Sequence, residues 1–536
     1  MYTMVSPAKN TKGHFLMVLH AHLPFVRYPE HEHHLEEQWL YEAITETYIP
    51  LLSVFDRLIN DKVDFRIALS FTPTLLEMFN DALLQERFKN HLEQLITLSE
   101  QELQRTRGDR RFEALAKMYH NKFKKILNLY TKVYKRDLIS ALKSLAVSGH
   151  VELIASAATH AYLPALMTEP IAAHVQIRLG TEYFKNTFGE QAKGFWLPEC
   201  GYVPGMDRYL KKAEVAFFFL ESHSLLNSTP RSPYSIYAPV RTPSGATVFA
   251  RDVESTKQVW SSVEGYPGDF DYRDFYRDIG FDLDQNYIGP YLPGGIRTFT
   301  GMKYYRITDT SDNKGPYIPE RAHLKAEQHA DHFLECRAQQ IQSLNNRWGI
   351  QPVITATFDA ELFGHWWFEG PAWLDSVLRK GAEENSSWKF ITPSEYLADH
   401  QRLKTVMPAP SSWGYKGHSE TWIDASNSWI YRHVHHGAKE MKRLAVTHRQ
   451  ATGHLRRALN QAARELLIAQ SSDWPFMMKA GNASEFATKK FKEHMQNFIM
   501  LHDGIVSNNI DTGQLSVLEQ KNCIFRDLDY RIFSDS

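Results

Sequence analysis

The sequence has little cysteine and no long hydrophobic run. Its 536 residues include three cysteines, Cys200, Cys336 and Cys523, which lie far apart. This spacing argues against a disulfide framework or a cysteine-based zinc site and favours reduced thiols. The apolar run at 15–19 is too short for a signal peptide, and no stretch of about 18 apolar residues occurs. We therefore expect a soluble, cytoplasmic protein without a membrane partner.

An excess of either charge is also missing. Lys and Arg number 61 and Asp and Glu 62, which gives a formal net charge of −1. Nucleic-acid partners usually require a basic excess, so we expect none. Repeats at a fixed period are not evident, which argues against a solenoid. Aromatic residues, in contrast, are abundant, with 12 Trp, 25 Tyr and 31 Phe. They serve either a large core or flat platforms for a ligand, and composition alone does not choose.

Short β-rich runs alternate with helical patterns, which predicts parallel β/α units and an α/β fold. The predicted strands lie at 15–19, 63–69, 151–155, 194–197, 215–220 and 353–358. Residues 80–148 are Leu-rich and charged and indicate a helical insertion, whereas 224–320 are rich in Pro, Gly and Tyr and indicate active-site loops. A composition change near 405 predicts a catalytic domain (1–405) followed by a helical domain (406–536).

Polar side chains follow four of the predicted strands. His20 and His22 follow the first strand, Glu199 the fourth, His223 the fifth and Asp359 the last. In an α/β barrel the carboxyl ends of the strands converge on one face, where active sites lie. The sequence therefore predicts that these residues form one cluster.

Two chemistries fit such a cluster. His20 and His22 alternate along a strand and so point the same way, and a carboxylate could complete a zinc or iron site with them. Alternatively, Glu199 and Asp359 form the carboxylate pair of a glycosidase, and the histidines bind sugar hydroxyls. Tryptophans crowd these segments, which favours a sugar, and the metal site stays open as the alternative.

Five segments, taken in order, resemble the signatures of glycoside hydrolase family 57. They are LHAHLP at 19–24, the stretch 149–164 with His160, WLPECGY at 196–202, DAELFGHWWFEG at 359–370, and 413–422 between two tryptophans. The segment at 359–370 is the most specific of the set. The resemblance therefore spans residues 19–422, and the helical end of the chain also fits it.

The resemblance implies an incomplete (β/α)7 barrel with a helical insertion, followed by an all-helical C-terminal domain. It also implies a retaining double displacement on α-1,4-glucans without metal or cofactor, with Glu199 as the nucleophile and Asp359 as the general acid/base. The substrate-binding residues it implies are His20, His22, His160, Trp260, Trp413 and Trp422.

Transfer and hydrolysis share the covalent intermediate and differ in what attacks it. Family members that resemble branching enzymes carry a long loop with a tyrosine at its tip. The corresponding region here, 227–250, is short and offers Tyr234 and Tyr237, whereas the segment from Phe249 through Arg251 to Trp260 is similar to the branching subgroup. We expect a 1,4-α-glucan branching enzyme with Tyr237 and Arg251 near the substrate; the alternative is an α-amylase-type hydrolase.

Overall fold

The fold is built around one curled, mainly parallel sheet. The computed structural model describes residues 11–32, 34–261, 264–383, 387–481 and 483–534. The strands are β1 His14–Ala21, β2 Ile67–Phe71, β3 Val151–Ser156, β4 Gly194–Trp196, β5 Phe217–Leu220, β6 Val240–Arg241, β7 Thr247–Ala250, β8 Val353–Asp359 and β9 Lys389–Phe390. They follow the order β6-β7-β5-β4-β3-β2-β1-β8, and β9 pairs with β1.

The sheet curls into an incomplete barrel. Its wall has seven parallel strands within the described residues, β1 to β5 with β7 and β8. Strands β7 and β8 do not pair along their length in this part of the chain; just beyond the end of β7, Arg251 forms an isolated bridge with Thr355 of β8. The predicted fold class, an incomplete (β/α)7 barrel, is therefore confirmed.

Helices surround the sheet and make up most of the end of the chain. Ala82–Arg105, Glu113–Asn128 and Leu138–Val147 occupy the predicted insertion. The other helices up to residue 400 are Glu37–Ala43, Ile49–Asn60, Pro73–Phe79, Leu163–Leu166, Pro170–Phe188, Met206–Lys212, Ser222–Leu226, Val253–Trp260, Ile279–Asp282, Gln285–Ile288, Pro319–Trp348, Gly370–Gly381 and Pro393–Asp399. The later helices are Trp429–Thr447, Gly453–Ala469, Asp473–Ala480, Ser484–Val506 and Thr512–Lys521. No helix within the described ranges is long and apolar enough to cross a bilayer.

The central strands position the polar residues. Strand β1 is buried along its whole length, as parallel strands covered on both faces are. Its register sets His20 opposite Asp359 of β8 on one side and Ser70 of β2 on the other. Three polar residues at the carboxyl ends of adjacent strands thus share one edge of the sheet.

The helical end of the chain reaches the same edge. Ser471 forms an antiparallel bridge with Ala161, and the Ser472 N–H donates to the His160 carbonyl oxygen at 3.0 Å. This connection lies between the helices Gly453–Ala469 and Asp473–Ala480. It places the residues that begin the second helix against the loop after β3.

Gly180 allows the helix Pro170–Phe188 to approach β3 closely, since a Cβ there would lie 2.0 Å from the Ser156 carbonyl oxygen. We expect Gly180→Ala to lower the free energy of unfolding by about 1–3 kcal/mol, because the helix must move away from the strand. Chemical denaturation would measure this. Gly513→Ala is the control, because the nearest atom there is an Asp511 side-chain oxygen at 3.3 Å. Equal stability of the two variants would contradict the close-packing interpretation.

Candidate active site

Glu199 lies in a strained turn after β4. Pro198 follows Leu197 and begins the turn Pro198–Cys200, in which Glu199 (φ 63°) and Cys200 (φ 49°) both have left-handed backbone conformations. His160, after β3, also has a positive φ of 52°. Such conformations cost about 1–3 kcal/mol each for residues other than glycine and cluster at functional sites. The strain thus falls on two of the residues that the sequence singles out.

The Glu199 carboxylate accepts hydrogen bonds on both oxygens. The Trp413 indole N–H donates to Oε2 at 2.8 Å, and the Ser472 hydroxyl donates to Oε1 at 3.1 Å. Burial raises the pKa of Glu199 to about 7, with the positive charge of His22 opposing and the negative charge of Asp359 adding to the rise. The two donors stabilise the ionised form of this carboxyl group.

Asp359 lies at the end of β8 in a different environment. Its Oδ1 is buried and has no hydrogen-bond partner within the described part of the chain. Burial raises the pKa of Asp359 to about 7, against the opposing charges of His22 and Arg251. A buried carboxyl group without donors favours its protonated form, so hydrogen bonding distinguishes Asp359 from Glu199 although both pKa values are raised.

His22 supplies a positive charge among these carboxylates. Its Nε2 lies 3.5 Å from Asp473 Oδ1, and its ring nitrogen approaches oxygens of Asp359 and Glu361 within 4.8 Å. Burial lowers the pKa of His22, but the hydrogen bond and charge of Asp473, together with the other two carboxylates, raise it to about 10. His22 is therefore an imidazolium at neutral pH.

His20 and His160 are, in contrast, neutral. Burial, followed by the charge of His22, lowers the pKa of both well below the usual histidine value. Their Nε2 atoms lie 2.9 Å apart, which requires one ring to donate and the other to accept. His160 Nδ1 lies 2.8 Å from the Ser472 hydroxyl, and His20 Nδ1 lies 3.1 Å from the Ser70 hydroxyl.

These contacts fix the direction of a hydrogen-bonded chain that ends on Glu199. Because Ser472 donates its proton to the Glu199 carboxylate, its oxygen accepts from His160 Nδ1–H. The Nε2 atom of neutral His160 then accepts from His20 Nε2–H, and His20 Nδ1 accepts from Ser70. Every donor in the chain points toward the carboxylate, and such alignment strengthens each bond.

The same residues include two groups with the composition of a metal site. They are His20, His22 and His160, and His22, Asp359 and Glu361. A histidine must offer a free lone pair to bind zinc. The acceptor nitrogens of His20 and His160 are already used within the chain. The geometry thus favours carboxylate chemistry over the metal chemistry that the sequence leaves open.

A cleft of about 310 Å³ opens above the two carboxyl groups. We call this cavity the cleft; Glu199, Asp359, Arg251, Trp260 and Trp413 all line it. Trp260 ends the helix Val253–Trp260 and is 54% exposed, so it presents an open ring face. The indole N–H of Trp413 donates to Glu199, and the Arg251 guanidinium lies 5.7 Å from the centroid of the Trp413 ring.

Two sequence expectations need correction. Trp422 lines the cleft but is 1% exposed and stacks on Tyr162 at a centroid distance of 4.6 Å, so it has no open face for a sugar. Tyr237 does not lie at the cleft: its hydroxyl donates to Asp252, and its ring packs near Trp348, at the end of a long helix. Its carbonyl oxygen accepts from the N–H of Val353, at the start of β8 and opposite the end that carries Asp359.

Sequence reasoning missed the contributions of Ser472, Asp473 and Ser70. Ser471 and Ser472 precede the helix that Asp473 begins, and these residue types are typical of a helix start, which suggests only a local capping role. Ser472 contacts Glu199 across 273 residues of sequence, so no local pattern reveals the contact. Glu361 has a supporting role, since it accepts from the Tyr48 hydroxyl and the His22 backbone N–H.

The family model described as glycosyl hydrolase family 57 matches residues 16–410. The chain belongs to this family. A second model, described as the C-terminal region of 1,4-alpha-glucan branching enzyme, matches residues 433–533. The resemblance to glycoside hydrolase family 57 is thus confirmed, and the protein is an enzyme.

Relatives of this family 57 enzyme carry two different activity names. A 1,4-alpha-glucan branching enzyme of Thermococcus kodakarensis is 32% identical, over 96% of this chain and 78% of that one. The structure of a branching enzyme of Pyrococcus horikoshii is 31% identical with a TM-score of 0.88, covering 98% and 97% of the two chains. The structure of the alpha-amylase AmyC of Thermotoga maritima is 40% identical with a TM-score of 0.91, covering 98% and 99%.

The charge states in the site can be tested by imidazole nitrogen NMR. We expect His22 to remain protonated from about pH 6 to 8, with His160 neutral and protonated on Nδ1 and His20 neutral and protonated on Nε2. Asp473→Asn should lower the pKa of His22, because the variant loses an anion that stabilises the imidazolium. Asp331→Asn, at an exposed surface pair with Lys380, is the control. A wild-type His22 that titrates near its ordinary value would contradict the assignment.

Proposed function

We propose that this enzyme acts on α-1,4-glucans by retaining double displacement, with Glu199 as nucleophile and Asp359 as general acid/base. The supporting observation is the unequal hydrogen bonding of the two carboxyl groups. Glu199 accepts from Trp413 and Ser472, as an ionised nucleophile would, whereas Asp359 has a buried oxygen without a donor, as a protonated acid would. An uncharged polymer also suits a chain of near-zero net charge.

In the proposed first step, Glu199 forms a bond to the anomeric carbon while the bond from that carbon to the leaving oxygen breaks. Asp359 gives its proton to the leaving oxygen. In the second step Asp359 takes a proton from an incoming hydroxyl, whose oxygen replaces Glu199 on the anomeric carbon. The charged His22, which is more exposed than the other two histidines, holds a sugar hydroxyl, and Trp260 offers the stacking face. His20 and His160 use all their ring nitrogens in the hydrogen-bonded chain, so they position Glu199 rather than hold hydroxyls themselves as the resemblance implies. The mechanism requires no metal and no cofactor.

We propose further that the incoming hydroxyl belongs to a second glucan, so that the enzyme makes α-1,6 branches in glycogen or starch synthesis. The two branching enzymes that match nearly all of the chain, and the branching-enzyme model at 433–533, support this choice. The three cysteines are free thiols, which suits the proposed cytoplasmic location. The proposed division is a catalytic domain, 1–405, and a helical domain, 406–536.

Hydrolysis of α-1,4-glucans is the second candidate. The 40% identity to the alpha-amylase AmyC favours it. The position of Tyr237 away from the cleft also favours hydrolysis. A tyrosine at the tip of the loop would help to keep water from the intermediate, and Tyr237 does not lie where it could do so.

The roles of the two carboxyl groups can be separated by azide rescue with an activated maltooligosaccharide. We expect Glu199→Ala and Asp359→Ala each to lose activity by about a thousandfold or more. Azide should give a β-linked product with Glu199→Ala, because it attacks the face that the nucleophile vacates. With Asp359→Ala it should give an α-linked product, because Glu199 still forms the intermediate. Glu335→Gln, at an exposed helix position, serves as the control, and exchanged product configurations would reverse the assignment.

Incubation with amylose, followed by enzymatic debranching and chain sizing, tests branching against hydrolysis. Branching predicts new α-1,6 linkages with few new reducing ends, since the acceptor replaces water at the intermediate. Reducing ends without α-1,6 linkages would reject branching and support the hydrolase.

A further inference from the structure

A second cavity lies next to the cleft and shares a wall with it. We call it the side pocket; it has a volume of about 410 Å³. Arg251, Trp413 and Gly414 line both cavities. Since Trp413 donates to Glu199 and the Arg251 charge acts on Asp359, the shared wall borders both carboxyl groups.

Several polar residues in the remaining lining of the side pocket are held by their neighbours. His223 and His418 face each other edge to face at a centroid distance of 5.6 Å. Gly417 lies against the His223 ring, where a Cβ would come within 2.6 Å, so the ring has little freedom. Glu221, after β5, accepts from the Arg251 guanidinium at 2.6 Å.

Two polar atoms of this lining have no partner. His223 Nε2 and Arg251 Nε are buried and lack a hydrogen bond within the described ranges. Leaving such groups unsatisfied costs free energy, and a ligand with hydroxyl groups would satisfy both, because a hydroxyl donates and accepts. Glu221 already pairs with the Arg251 guanidinium, and the two unpartnered nitrogen atoms suit the hydroxyl groups of a polyhydroxyl ligand.

Transfer requires two glucan chains at one intermediate. The cleft, at about 310 Å³, lies at the small end of ligand pockets, so a second chain needs a further binding surface. The acceptor must reach the intermediate from the side of Asp359, which takes the proton of its 6-hydroxyl. Arg251 links the side pocket to that side.

We propose that the side pocket binds the acceptor α-1,4-glucan and presents its 6-hydroxyl to the intermediate on Glu199. In this step the acceptor oxygen forms a bond to the anomeric carbon, the bond from Glu199 breaks, and the 6-hydroxyl proton passes to Asp359. The proposal rests on the proposed branching function. It assigns His223 and His418 to acceptor binding.

Two variants and one control test the acceptor role on the full chain. The variants are His223→Ala and His418→Ala. At a limiting acceptor concentration, each should form about three- to tenfold fewer α-1,6 linkages for every donor chain that it cleaves, because each loses a hydrogen bond to the acceptor. Cleavage of the donor should change little, and excess maltohexaose should restore branching, as expected for a raised acceptor KM. His323→Ala, on an exposed helix face, should behave as wild type. A ratio unchanged in both variants would overturn the acceptor role.

Titration of the inactive Glu199→Gln variant with maltohexaose separates this inference from the proposed function. We expect two binding sites, of which His418→Ala in the same background weakens one and Trp260→Ala the other. A wild-type enzyme that only releases reducing ends would reject the branching function. In that case, two sites that respond separately to His418→Ala and Trp260→Ala would still support glucan binding in the side pocket. A single site, or two sites that His418→Ala leaves unchanged, would overturn glucan binding in the side pocket.

Discussion

The partly buried imidazolium of His22 is the interaction on which the site depends. Burial raises the pKa of Glu199, Asp359 and Glu361, and the charge of His22 is the strongest influence opposing that rise in each. The same charge helps to keep His20 neutral, as it does His160. Because each neutral ring donates through one nitrogen and accepts through the other, the hydrogen bonds of the chain can all point toward Glu199. One protonated ring therefore shapes the state of the groups around it.

The counter-ion of this cation comes from the helical end of the chain. Asp473 is close to His22, and its neighbour Ser472 contacts both His160 and Glu199. A barrel without this segment would leave His22 with less negative charge and Glu199 with one donor fewer. The helical part thus completes the electrostatics of the site as well as one wall of the cleft, and folding of the two parts is coupled to the protonation state of the catalytic groups.

The sequence predicts the features that depend on strand ends and fails where contacts depend on distant segments. Glu199 and Asp359 follow strands, and the parallel topology brings them to one face, so the fold class and the carboxyl pair could both be inferred. The family resemblance implies a substrate-binding role for Trp422, but packing on Tyr162 decides its exposure. The role of Asp473 could not be seen at all, because its partner, His22, lies more than 400 residues earlier in the chain.

The two activity names among the relatives also follow from physical chemistry. Water and a glucan hydroxyl compete for the same intermediate, and about 1.4 kcal/mol in the relative barriers changes their ratio tenfold. One or two hydrogen bonds to the acceptor supply that much. A TM-score near 0.9 to both an amylase and a branching enzyme therefore describes a shared scaffold. In the proposed mechanism the first step is common to both reactions, and the acceptor that the side pocket is proposed to bind, through a lining that includes Arg251, His223 and His418, decides the second.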